Sequence, residues 1–136
     1  MPTARALRAG DLPDDIKLVV ADMDGTLLDE TGTIPGDFWP LLAQLVERGI
    51  VFAPASGRQH SALADMFAQA GPGVALIAEN GAFVARDGQE VSSSVVDPEF
   101  SRHTVAIVRE AARKYNLGLV LSGRRSAYVE RSDEDF

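Results

Sequence analysis

Between residues 18 and 28 the chain reads Leu-Val-Val-Ala-Asp-Met-Asp-Gly-Thr-Leu-Leu, and this stretch narrows the choice of fold more than any other. Leu18 to Ala21 is apolar at every position, short, and without helical spacing. Continuous rather than alternating apolarity predicts a strand buried on both faces, as in a parallel sheet. The run ends in Asp22 and Asp24, and side chains at i and i+2 of an extended segment point the same way. Two carboxylates are therefore expected together at the carboxyl end of a buried strand, where open α/β sheets bind their ligands.

The chemistry open to such a pair is narrow. Two like charges this close repel unless a cation or proton lies between them. Oxygen-only ligands favour a hard ion such as Mg²⁺. A carboxylate facing a phosphate can act as nucleophile and form an aspartyl-phosphate. The second carboxylate can serve as general acid and base. Gly25 lets the backbone turn sharply and approach an anion. An isolated Asp-Xaa-Asp is commonly a solvated strand-end turn. The apolar run before it and Gly25-Thr26-Leu27-Leu28 after it weigh against that reading here.

At 136 residues the chain suits one modest domain or part of a larger one. Its formal charge of −7 argues against a nucleic-acid partner, which needs a basic surface. No cysteine is present, so disulfides, thiolate metal sites and a thiol nucleophile are excluded. No apolar run reaches membrane-spanning length, so no membrane partner is expected. Residues 1–15 read as a tail without the apolar segment of a secretory signal, which leaves a cytoplasmic location as the expectation.

Along the chain, a strand at 16–21 leads into a Gly- and Pro-bearing loop or tight hairpin at 23–36. Phe38, Leu41, Leu42, Leu45 and Val46 then form one helical stripe, with Pro40 in the first turn and Gly49 beyond the end. Ile50 to Ala53 is a second strand. Leu63, Met66, Phe67 and Ala70 mark a second helix stopped by Gly71-Pro72-Gly73, and Val74 to Ala78 is a third strand. Strand–helix–strand–helix–strand is the order of a doubly wound α/β half-domain with a parallel sheet. Asp87-Gly88 predicts a hairpin turn within 83–91. Residues 98–116 predict a helix with Val105, Val108, Ala112 and Tyr115 on one face. Short strands follow at 119–121 and 126–130.

Ser56, Gly57 and Arg58 stand where the second strand gives way to a helix. Taken alone, Ser56 reads as a helix cap, though a helix N-terminus there would also be an anion site. Arg58 and the turn residues Arg124 and Arg125 read as solvated cations, and Asn80-Gly81 as a turn. His60 and His103 have no partners at metal-ligand spacing, and Trp39 suits a packed helix face.

Asp22-Met23-Asp24-Gly25-Thr26-Leu27-Leu28 resembles the first motif of the haloacid-dehalogenase-like hydrolase superfamily, and Ala55-Ser56-Gly57-Arg58 resembles its second. The resemblance covers roughly residues 16 to 130 and implies a Mg²⁺-dependent phosphatase of the Cof type, class IIB, with a C2B cap. It makes Asp22 the nucleophile and Asp24 the acid/base. Mg²⁺ would be held by the Asp22 carboxylate and the Asp24 backbone carbonyl. Ser56 would bond the transferring phosphoryl group, with Gly25, Gly57 and Arg58 beside it and Asn80 near the cleft. Residues 16–81 would form the N-terminal half of a Rossmann-like core. Residues 82–136 would form the first half of an α+β C2B-type cap. The segment after Asp24 would be a flap, and the substrates small phosphate monoesters such as phosphosugars.

The family's lysine and later acidic motif have no counterpart here. Lys17 enters the first strand at its far end, Lys114 lies on the last helix, and Asp133-Glu134-Asp135 follows no strand. The reading is therefore of a truncated phosphatase with an under-coordinated Mg²⁺ site. The alternative is a weak or inactive remnant that keeps phosphate or partner binding. In such a fragment the first strand leaves a bare sheet edge that invites self-association.

Overall fold

Three parallel strands carry the front of the molecule: β1 (Leu18–Asp22), β2 (Val51–Ala55) and β3 (Ala75–Ala78), lying side by side in that order. The computed structural model describes residues 15–123 and 126–131. The expectations placed on residues 1–14, on Arg124 and Arg125, and on residues 132–136 lie outside the described residues. α1 (Phe38–Glu47) and α2 (His60–Met66) make the two crossovers. Both crossovers step in the same direction across the sheet. Right-handed connections must then lay both helices on one face.

The ring contacts agree with this. Phe38 of α1 lies 5.1 Å from Phe52 of β2, and Phe67, just past α2, lies 6.4 Å from Phe38 and 6.2 Å from Phe52. Leu42, Leu63 and Met23 complete the buried centre, with Val19 and Ala21 packed against it. α2 stops at Met66, short of the expected glycines, and the residue that ends it, Phe67, is the one that turns into this aromatic cluster.

The other face of β1 departs from expectation. Leu18 and Val20 are 54% and 51% exposed, so β1 is not buried on both faces. β2 differs, with Phe52, Ala53 and Pro54 all buried. The reason is position: β2 has a strand on each side, whereas β1 is the sheet edge and no described helix covers its second face.

The sheet runs on past residue 81, where the sequence reading divides core from cap. β4 (Phe83–Arg86) pairs antiparallel with β3, and β5 (Gln89–Ser93) pairs antiparallel with β4. Asp87 and Gly88 join them with φ of 50° and 74°, the two positive values a tight hairpin turn requires.

α3 (Pro98–Ala112) starts where its sequence dictates. The Asp97 carboxylate accepts from the Glu99 and Phe100 N–H groups at 2.8 and 2.9 Å, and Pro98 takes the first helical position. It ends before Asn116 because the chain tightens, with the Lys114 N–H reaching the Ala111 carbonyl. No residue of α3 is buried. Val105 and Val108 are half-buried as expected, but Ala111 rather than Ala112 continues the stripe, and Tyr115 is exposed. β6 (Val120–Ser122) and β7 (Ala127–Val129) form a separate two-stranded ribbon. Arg109 ties α3 to it through an ion pair with Glu130. Among the described residues, no helix is long and apolar enough to cross a membrane.

Candidate functional site

β1 delivers the two aspartates with a methionine between them that fixes their direction. Met23 is fully buried, while Asp22 and Asp24 on either side are exposed. Alternation along an extended segment thus sends both carboxylates to solvent and the thioether into the core. The chain then bends at Gly25, whose φ of 75° lies in the left-handed region that favours glycine. A wide turn closes where the Leu28 N–H donates to the Met23 carbonyl at 2.9 Å. Leu28 is buried as well, so the aspartate loop is pinned at both ends.

The loop beyond is organised by one side chain. The Asp29 carboxylate accepts from the Thr31 hydroxyl at 2.6 Å, the Thr31 N–H at 2.9 Å and the Thr33 N–H at 3.0 Å. The Thr31 hydroxyl bond first, then the Thr33 N–H, holds this carboxyl below its ordinary range. Ile34 then returns to the core. The expected loop or hairpin at 23–36 is this pair of turns.

Ser56 follows β2 directly, and Asp22 pairs in register with Ala55, which sets the first aspartate next to this serine. Ser56 is the one buried polar side chain among the described residues. It does not cap α2. Gln59 precedes the first helical residue, and α2 is too short to offer an N-terminal anion site. The Ser56 hydroxyl oxygen instead accepts from the Arg58 N–H at 3.1 Å, closing a tight turn.

That turn is bolted from the far side by the exit of β3. Glu79, Asn80 and Gly81 all have positive φ, at 53°, 55° and 88°. The reversal aims the Asn80 N–H at the Ser56 carbonyl (3.1 Å) and the Glu79 N–H at the Arg58 carbonyl (3.0 Å). The Asn80 amide sits over Gly57 so closely that a Cβ there would lie 2.9 Å from its oxygen. A larger residue at 57 would have to push the Asn80 side chain aside.

Arg58 joins the two loops, its Nη2 donating to Asp24 Oδ1 at 2.6 Å. Asp24, Ser56, Gly57, Arg58 and Asn80 are thus linked by direct contacts. Asp22 and Gly25 adjoin them along the backbone. The sequence offered no sign that Arg58 would meet Asp24, or that Glu79 would act as a backbone donor. The Asn80-Gly81 turn signal was the one hint of the reversal.

His60 stacks edge-on against Phe83 at 4.9 Å, and His103 is exposed on α3. A cavity of about 170 Å³ beneath α2, lined by His60, Phe67, Leu76 and Asp87 among others, contains none of the candidate residues. Among the described residues, no group of three or more His, Asp or Glu converges to hold a metal. Mg²⁺ can be bound through one or two carboxylates completed by water and substrate phosphate, and Asp22 with Asp24 meets that minimum.

Residues 19–136 match a family model described as haloacid dehalogenase-like hydrolase. The chain is 31% identical over 122 residues to the 5-amino-6-(5-phospho-D-ribitylamino)uracil phosphatase YbjI of Escherichia coli, covering 88% of this chain and 44% of that protein. It is 32% identical over 104 residues to a phosphoglycolate phosphatase of Metallosphaera sedula, covering 75% of this chain and 44% of the relative. The crystal structure of SMU.1108c from Streptococcus mutans superposes with a TM-score of 0.75 at 27% identity, covering 89% of this chain and 46% of that one. The chain thus spans less than half the length of the curated relatives it matches.

Proposed function

Because the chain belongs to the haloacid dehalogenase-like hydrolases, we propose that it carries the nucleophile half of a phosphatase acting on small phosphate monoesters such as phosphosugars. Asp22 attacks phosphorus and the bond from phosphorus to the leaving oxygen breaks, with Asp24 giving that oxygen its proton. Water then attacks the aspartyl-phosphate while Asp24 takes a proton back, which restores both carboxyl groups and releases inorganic phosphate. The Ser56 oxygen already accepts from Arg58, which leaves its hydrogen to donate to a phosphoryl oxygen. Gly25, Gly57 and Asn80 shape the cradle in which that oxygen sits. The Asp22 carboxylate and the Asp24 backbone carbonyl would hold Mg²⁺, which would supply the positive charge that lets a carboxylate meet an anionic phosphate.

The observation that carries this reading is the alternation at Asp22, Met23 and Asp24, with both carboxylates presented beside the Ser56 turn. Both curated relatives bear phosphatase names, which supports the same chemistry. The test is hydrolysis of p-nitrophenyl phosphate with Mg²⁺. We expect turnover by the wild-type chain and its loss, by at least about 100-fold, in Asp22→Asn. Equal rates in the two proteins would refute the assignment.

A second reading has its own support. The described residues supply no third metal ligand, and the sequence has no match to the family's lysine. A remnant that binds phosphate without turning it over fits those features. In either case the unpaired edge of β1, a strand on which Leu18 and Val20 are exposed, suits pairing with a second copy of this chain.

A further inference from the structure

We infer that Arg58 is a positioning residue that holds Asp24 before phosphate arrives and then exchanges it for an oxygen of the incoming phosphate. The inference rests on the phosphate-site reading above and adds a moving part to it. Arg58 is anchored in this region through its backbone. Its N–H is committed to the Ser56 oxygen and its carbonyl to the Glu79 N–H, so its backbone is fixed on both sides. Its side chain then spans from the serine turn to the aspartate loop and ends on Asp24 Oδ1.

The chemistry of that contact favours exchange over a permanent strut. The Arg58 side chain is 40% exposed and the Asp24 side chain 66% exposed, and ion pairs in water are weakly held. One guanidinium nitrogen meets one carboxylate oxygen in the contact described, which leaves the five-donor fork far from saturated. A phosphate offers more negative charge and the paired oxygens that such a fork bonds best. When phosphate settles against Ser56, Arg58 therefore gains by turning to it, and Asp24 is released. Before that moment the carboxylate meant to handle the proton is parked on an arginine; afterwards it is free to face the leaving oxygen. Substrate arrival and acid/base release become one event.

A double-mutant cycle on phosphate binding tests this without turnover or metal. Affinity for inorganic phosphate is measured by calorimetry at neutral pH for the wild-type chain, Asp24→Asn, Arg58→Met and the double variant. Both residues are exposed, and thermal melts check that each variant keeps its fold. If Arg58 is shared, Arg58→Met weakens phosphate binding. Asp24→Asn strengthens it by a factor about threefold larger with Arg58 present than with Met at 58, because only then is a held cation set free. Arg58→Lys, which keeps the charge but not the fork, falls between wild type and Arg58→Met. Equal factors for Asp24→Asn on the two backgrounds, or no phosphate binding by the wild-type chain, overturn the proposal. Coupling without hydrolysis rejects the hydrolase reading and leaves Arg58 in this role; hydrolysis without coupling does the reverse.

Discussion

The helix in front and the helix behind are built alike and fare differently. α1 and α3 each carry an apolar stripe at helical spacing. α1 buries Phe38 and Leu42 against β2 and the aromatic cluster, whereas α3 buries nothing and leaves Phe100 and Ile107 each 64% exposed. Amphipathicity records which side of a helix is apolar; whether a partner is present to cover it depends on the rest of the fold. The same contrast divides the two faces of β1. Val19 and Ala21 touch the core, while Leu18 and Val20 meet solvent.

The sharpest way to break this comparison is to cut apolar mass from both regions. Phe52→Ala removes a ring packed against Phe38 and Phe67 and should cost about 3–5 kcal/mol. Ile107→Ala should cost less than about 0.5 kcal/mol. Urea titrations of both variants measure the difference, and similar losses would mean that α3 is covered in solution. An intermediate effect is expected from the two faces of β1. Light scattering at rising concentration should show masses above one chain for the wild type and a return toward one chain in Val20→Lys. A single-chain mass throughout would dismiss pairing along that edge.

The smallest effect is local and follows pH. Because hydrogen bonds hold the Asp29 carboxyl below its ordinary value of 3.8, its contribution is fully present above that value. It is lost as pH falls through the lower folded value. Amide exchange at Thr31 and Thr33 should quicken in that acid range, while α3 is unaffected. Asp29→Asn should remove the acid dependence, and a wild-type loop indifferent to pH there would contradict it.

Much of this arrangement was legible in advance, and the limits are physical. The Asp87-Gly88 turn, the Asp22 strand end and the stripe of α1 follow from short-range rules that need no partner. The open face of β1 did not, because an apolar run states what a strand would prefer to bury, and coverage is decided by elements distant in sequence. Ser56 looked like a cap because small polar residues before helices usually are. Three residues separate it from the helix, and its own turn claims its oxygen. The meeting of Arg58 with Asp24 links two loops that only the sheet brings together, so neither segment alone could announce it.

The Glu79–Gly81 reversal has a consequence for the order in which the molecule is made. The two N–H groups that brace the Ser56–Arg58 turn from outside come from residues beyond β3. A nascent chain that has reached only the second helix can pair β1 with β2, yet it lacks the donors that brace the serine turn from outside. During synthesis, the Ser56–Arg58 turn therefore gains its outer hydrogen bonds only after the third strand and its exit have emerged.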